Sequence, residues 1–514
     1  MKRSAALLGS FVCLLLTGCP LTDHYVVTSE VAGNSGSDVG GDGDGLGGGT
    51  VGNTAGGGGV AGDGDVPTAG KTGLGAGGSG GIRAAAGMGT GGMIALGGSA
   101  GQTASGGAGG PGTAGNTGSA GTAGAGGCGD IKTDPMNCGA CSNKCNVGRS
   151  CSGGVCQAGW VAMSVPPNIA ARSRAGVVAM GDGVFIWGGL DGDGNALADG
   201  GIYYPKTDYW VPLPKGAGAP GPRITPGVVW TGSLVVVFGG SDANVATIFR
   251  DGGVYDPSAN SWTALPSPMS LKPRNMPIAY WDGTRAVFIS GSNASGPVGG
   301  ADRFDLQSWT SSVNMGDPGA LMYPAFAADG STLYLEGGQL NNVRQDKTFS
   351  YASPAAGADK WTALSKPGLT ARSSTFGAWD GSHFVVWGGR DDNTGLRNDG
   401  KYLSPATQTW TNVSVGASTP SPRMIATRRS GWSFQVKTGV VAFLGGQIST
   451  MAAATLSQDG ATYNTVTSMW TAIPAWSATD LHEYGMGAWT GDEFVIWGGR
   501  DATKVTNTGQ RWAP

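Results

Sequence analysis

From Gly176 onward the chain is written in short apolar runs separated by polar turns. VFIW, VVVF, FVVW, VAFL and FVIW each run into a glycine pair, and LYLE does the same with a carboxylate at its end. The pairs close at Gly189, Gly240, Gly338, Gly389, Gly446 and Gly499, and a degraded copy, AVFISG, closes at Gly291. Successive intervals are 51, 51, 47, 51, 57 and 53 residues, and a period near 50 marks a repeat architecture.

The remainder of each unit is shared too. Upstream of the glycines lies another apolar run and a turn such as Gly181-Asp182-Gly183, Trp281-Asp282-Gly283 or Trp379-Asp380-Gly381. Asp-Gly between apolar runs predicts a hairpin, because glycine supplies the positive φ a tight turn needs. Downstream come a loop, an aromatic (Tyr204, Tyr255, Phe304, Tyr402, Tyr463) and then a tryptophan (Trp210, Trp262, Trp309, Trp361, Trp410, Trp470). Each unit therefore reads as four strands, a to d. Strand b ends at the glycines, c carries the aromatic, and d begins at the tryptophan.

A glycine pair, a tyrosine and a later tryptophan resemble the kelch repeat over roughly residues 157–514. The resemblance implies an all-β fold, a ring of four-stranded blades around a channel. Ser290 departs from it by replacing a glycine, Glu336 stands where other copies have Trp, Phe or Leu, and Tyr351 lies far from Trp361. The last unit stops at TGQRWAP, with Trp512 at the strand c aromatic and no strand d, while Trp160-Val161-Ala162-Met163 looks like a stray strand d before the first unit. The expected fold is a seven-bladed kelch-like β-propeller closed by that N-terminal outer strand, which leaves no seam. Six blades plus a spare unit is the alternative.

The first 156 residues differ in kind. Lys2 and Arg3 precede an apolar run, Ala5 to Leu16, too short to span a bilayer and fitting a secretory signal. Leu16-Thr17-Gly18-Cys19 resembles a bacterial lipobox, which implies residues 1–18 as signal peptide, lipidation of Cys19 and membrane anchoring through acyl chains. Pro20 after the cysteine favours, by the same resemblance, an outer-membrane lipoprotein facing the periplasm or the cell surface. Residues 19–127 form a Gly/Ala/Ser/Thr-rich tether; from Val31 to Gly127 it has 41 glycines in 97 residues and cannot bury enough apolar surface to order itself. Residues 128–156 hold Cys128, Cys138, Cys141, Cys145, Cys151 and Cys156. Outside the cytoplasm these predict a disulfide module of three bridges with undetermined connectivity, and a zinc site at Cys138-x-x-Cys141 is the rival.

Net charge is −3 with sparse charged residues and no basic patch, which argues against nucleic acid. The expected partner is an envelope or extracellular protein or a glycan, bound by a monomer on the face of the long b–c and d–a loops, where a rigid scaffold presents variable residues. Arg172, Arg223, Arg274, Arg372 and Arg423 precede strand a in their blades. They read either as a cationic funnel for an anionic or sugar-like ligand or as brackets for backbone and for Asp191, Asp242, Asp391 and Asp501. Arg390 and Asp391 are candidate binding residues on a b–c loop. Glu336 is expected to pair with an arginine. An enzymatic alternative, a sugar-acid isomerase or mutarotase at the channel mouth, would use Glu336, His482 and Glu483. No cofactor is expected. Asp191, Asp193, Asn195 and Asp199 resemble a calcium loop but lack its sixth-place glycine and terminal Glu.

Overall fold

The computed structural model describes residues 130–514 apart from 135, 142–144, 146–148, 312–316, 353–359, 393–394, 422, 424–430, 449–454, 478–481 and 502, together with the two-residue strand Gly87–Met88. The signal peptide, Cys19, Cys128 and the rest of the tether lie outside the described residues.

Seven antiparallel four-strand meanders follow one another with the order a-b-c-d. Blade one runs Gly176–Met180, Gly183–Trp187, Gly200–Tyr204 and Tyr209–Pro212. Blade four runs Ala325–Ala328, Thr332–Glu336, Thr348–Ala352 and Lys360–Ala363, and blade five Phe376–Trp379, Phe384–Trp387, Gly400–Ser404 and Thr409–Asn412. The a strands of neighbouring blades adjoin around the channel. In blade four, Tyr351 sits directly opposite Trp361 with rings 4.7 Å apart, so the long c–d connection leaves the pairing of the repeat intact.

The core lies between blades rather than within them, because successive side chains of each strand point to opposite faces and both faces are covered. Phe185 and Trp187 of blade one face Tyr255 and Trp262 of blade two, with the two indoles 4.5 Å apart. Val184 and Ile186, the alternate residues, pack toward Val495 and Trp497 of blade seven. The aromatic at the end of strand b meets the strand d tryptophan of the next blade again at Phe238–Trp309, Trp387–Trp470 and Trp497–Trp210. Those tryptophans also reach back by their indole N–H. Trp210 donates to Ser164 O, Trp309 to Pro266 O, Trp410 to Ser365 O and Trp470 to Ser414 O, each acceptor lying just after strand d of the preceding blade.

The N-terminal strand closes the ring as expected. Val155–Ala162 pairs with Gly509–Ala513, Trp160 opposite Trp512. Trp160 donates to Pro474 O of blade six at 2.7 Å, the same latch as in the other blades. Two details stand out where the cysteine module meets the propeller. This strand runs without a break from the cysteine module into blade seven, and Arg149–Ser152 adds a further outer strand beside its first half. Cys138 bonds Cys151 and Cys145 bonds Cys156, the latter on the closing strand, and Cys141 is disulfide-bonded as well. These sulfurs are engaged with each other rather than with zinc. Within the tether, Gly87–Met88 lies antiparallel to the first strand of blade two, Gly227–Trp230.

In the Asp-Gly turns, glycine alone takes the positive φ: Gly283 at 98° and Gly381 at 101°. The aspartate accepts instead, Asp282 from Thr284 and Arg285 N–H and Asp380 from Ser382 and His383 N–H.

Candidate functional site

An antiparallel meander sends its b–c and d–a connections to one end and its a–b and c–d turns to the other. The a–b turns span two to four residues, whereas the b–c loops include 188–199, 337–347 and 388–399. The variable face is thus the b–c and d–a face, and its centre is the channel mouth.

The glycine pair and the arginine build the joint between consecutive blades on this face. The second glycine donates its N–H to the carbonyl of the next blade's arginine: Gly189 to Arg223, Gly240 to Arg274, Gly389 to Arg423 and Gly499 to Arg172, at 2.7–2.8 Å. The first glycine lies so close to that carbonyl that a Cβ at Gly188 would stand 2.5 Å from Arg223 O. The arginine side chain then turns into its own blade. Nη1 of Arg172, Arg223, Arg274, Arg372 and Arg423 donates to the carbonyl of Gly188, Gly239, Ser290, Gly388 and Gly445 respectively.

The five guanidinium groups are fully buried. They pair with Asp199, Asp251, Asp302, Asp399 and Asp459, at the start of strand c, not with the aspartates after the glycine pair. Arg372 and Arg397 hold the Asp399 carboxyl down to about 2, although burial alone pushes it upward. The geometry is that of brackets inside the blades, and no funnel of solvent-facing guanidinium groups forms at these positions.

Asp191, Asp242, Asp391 and Asp501 instead fold their own loops. Asp191 accepts N–H from Asp193 and Asn195, Asp242 from Ala246 and Thr247, Asp391 from Gly395, and Asp501 from Thr503 and Lys504. Such Asx turns need only one carboxylate and explain the calcium-like spelling of the first loop. Asp199 is drawn away to Arg172 at 2.9 Å and to Lys215 at 3.4 Å. Among the described residues the one cluster of three metal-ligand side chains is Cys138, Cys145 and Cys156, already bonded as disulfides.

The departures from the repeat are coupled. Blade four has Leu321 in place of the arginine and Lys347 in place of its aspartate. Across the joint, Ser290 replaces the first glycine and its hydroxyl donates to Leu321 O. In blade seven His482 takes the arginine's place, and its Nδ1 donates to Gly498 O at 2.6 Å, the carbonyl an arginine would hold. Glu483 faces Arg500 at 3.9 Å. Glu336 lies at the seam of blades four and five, so the structure does not assemble it with His482 and Glu483. Glu336 is wholly buried, and neither carboxylate oxygen has a hydrogen-bond partner. The expected arginine pair is absent: Arg372, whose charge acts on Glu336, is committed to Asp399. Burial pushes the Glu336 carboxyl up to about 8, against the opposing pull of Arg372.

Backbone hydrogen bonds link several neighbouring blades at the mouth, a feature no spacing rule in the sequence announces. Arg174 N–H donates to Tyr484 O, Thr225 to Arg174 O, Met276 to Thr225 O and Ser374 to Tyr323 O, at 2.8–3.2 Å. All six residues are left-handed, with φ from 51° to 59°. Each such residue costs on the order of 1–2 kcal/mol in a side-chain-bearing position, offset by the bond to its neighbour. The Arg174 guanidinium lies 4.2 Å over the Tyr484 ring.

Of the two loop residues singled out from the sequence, Asp391 is buried and holds its loop together through Gly395 N–H and Arg397 at 3.3 Å. Arg390 is half-buried, its backbone bridged to Ser373.

The kelch motif model matches residues 171–216 and 222–269, which contain blades one and two. Beta-scruin of Limulus polyphemus is 31% identical over 124 residues, 22% of this chain and 13% of that protein. Alpha-scruin of the same organism is 26% identical over 178 residues, 33% of this chain and 19% of that protein. The match thus spans less than a fifth of each curated relative. Together with the glycine-pair joints and the seven meanders, the motif match makes this chain an all-β protein with kelch repeats, folded as a seven-bladed β-propeller.

Proposed function

We propose that this chain is a binding protein that seats an envelope or extracellular protein on the long-loop face of its propeller, held to the outer membrane through lipidated Cys19 and the glycine-rich tether. The observation that carries this reading is the asymmetry of the two faces. Turns on one end are short and repeat one another apart from the longer c–d connection of blade four, while the loops on the other differ in length and sequence, and those of blades one, two, five and seven are braced by their own aspartate. A braced, variable surface on a rigid ring suits recognition. A glycan is the second ligand class the same face would accept.

Capture from envelope extract by the full chain tests the reading. Val343 and Ile448 stand exposed on b–c loops, and Val466 stands exposed on a c–d turn. Val343→Asp and Ile448→Asp should weaken capture and Val466→Asp should not. The reverse pattern overturns the choice of face. The anchor is tested separately: Cys19→Ala should move the protein from the membrane to the soluble fraction and abolish incorporation of labelled palmitate.

A further inference from the structure

Among the described residues Arg390 is the arginine whose side chain makes no hydrogen bond and no ion pair, and its Nε is cut off from solvent. Its neighbour across the seam of blades four and five is Arg344. That residue rides on a two-strand hairpin, Gln339–Leu340 with Val343–Arg344, turned by Asn341 and Asn342 at φ of 51° and 65°. Left-handed conformations at both central positions are what a two-residue hairpin turn requires, and asparagine tolerates them. The hairpin aims Arg344 at blade five, where its Nε donates to Ser373 Oγ at 3.2 Å. Ser373 is in turn paired through its backbone with Arg390, so the two guanidinium groups are brought together by one serine. They repel each other, and burial together with Arg390 pulls the Arg344 guanidinium below its ordinary range. Asp392, largely exposed, forms an ion pair with Arg344, and among the described residues no carboxylate forms one with Arg390.

We propose that Arg390 and Arg344 form a carboxylate-binding site on the loop face and that its ligand is an Asp or Glu side chain of a protein partner. The proposal rests on the reading of the long-loop face as the binding surface. A carboxylate satisfies the fork of Arg390 and relieves its repulsion with Arg344, whereas an exposed lone arginine would have water at all its donors. A protein is favoured over a sugar acid because exposed Val343 stands next to Arg344 on the same hairpin. A peptide can bring an apolar side chain beside its carboxylate, and a uronic-acid chain cannot.

The test is calorimetric titration of the full chain with a hexaglutamate peptide and with hexagalacturonate. Hexaglutamate should bind, and Arg390→Ala should weaken it by about tenfold or more, the scale of one charge-assisted hydrogen bond, with an unchanged melting temperature. Asp392→Asn should tighten binding, because it releases Arg344. No binding of hexaglutamate, or binding that Arg390→Ala leaves unchanged, overturns the site. Arg390-dependent binding of hexagalacturonate in preference to hexaglutamate overturns the protein ligand. If hexaglutamate fails while Val343→Asp still weakens capture from extract, this site falls and the loop-face reading stands; if Val343→Asp and Ile448→Asp have no effect on capture, that reading falls independently.

Discussion

A methyl group at Gly188 would meet the Arg223 carbonyl at 2.5 Å and would have to sit at φ 74°. Gly188→Ala therefore carries both a left-handed penalty and a displaced joint. We expect a loss of roughly 2–4 kcal/mol, read as a clear fall in melting temperature, with no loss for Gly192→Ala, whose Cβ would meet open space. The glycine pairs were legible as a repeat mark, but their reason was not, since the carbonyl they accommodate belongs to the next blade about 35 residues away along the chain. Glu336 is the opposite case, because its oddity shows in the sequence and its partner does not exist. The folded chain holds its proton more tightly than the unfolded chain, with the carboxyl raised from 4.5 to about 8. Stability from the protonated form is fully present below pH 4.5 and is lost as pH rises through about 8. The slope is roughly 1.4 kcal/mol per pH unit at most in that window. Glu336→Gln should remove this slope, melting close to the parent near the acid end and above it near the alkaline end. Equal pH profiles for the two proteins would contradict it.

Strands in this molecule are joined by what flanks them. The closing strand shows this best, because its tryptophan must serve a blade assembled from both ends of the repeat region. Trp160 lies edge-on to Trp476 at 5.3 Å and tilted to Trp512 at 6.5 Å, and it latches to Pro474 O. Trp160→Ala removes all three, and a loss of about 3–5 kcal/mol is expected, the usual cost of truncating a packed aromatic. Tyr209→Ala, on an exposed site of strand d in blade one, should change the melting temperature little. The cysteine module adds to the same closure. Cys156 lies on the closing strand, and Arg149 of the outer strand donates to Pro514 O. Reduction of the Cys145–Cys156 bridge should therefore lower the melting temperature of the whole propeller, by a contribution on the order of 2–4 kcal/mol. The number of blades and this closure were readable from where tryptophans fall. The outer strand Arg149–Ser152 was not, because nothing in RSCS signals a strand until its neighbour is in place.

At the scale of the molecule, the fold was the legible part and the chemistry the illegible part, for one physical reason. A repeat writes its packing many times, so any single copy is corroborated by the others. The arginines are written many times as well, in five of the seven blades, and of the two readings their repetition leaves open the geometry fits the brackets, while the Arg390 side chain has no ion pair among the described residues. Which aspartate meets which arginine depends on loop length and on the turn each Asx residue makes, and neither is periodic. The closure of blade seven also fixes an order of events. Trp160 lies opposite Trp512, so the half of the closing strand from Gly159 to Ala162 has no strand partner until residues 510–513 have appeared. Contacts between such distant positions form slowly, and a chain that emerges N-terminus first keeps that segment waiting with its apolar face uncovered. The bridges Cys138–Cys151 and Cys145–Cys156 and the pairing of Arg149–Ser152 with Val155–Ala158 need only residues close along the chain, so they can form before that partner arrives.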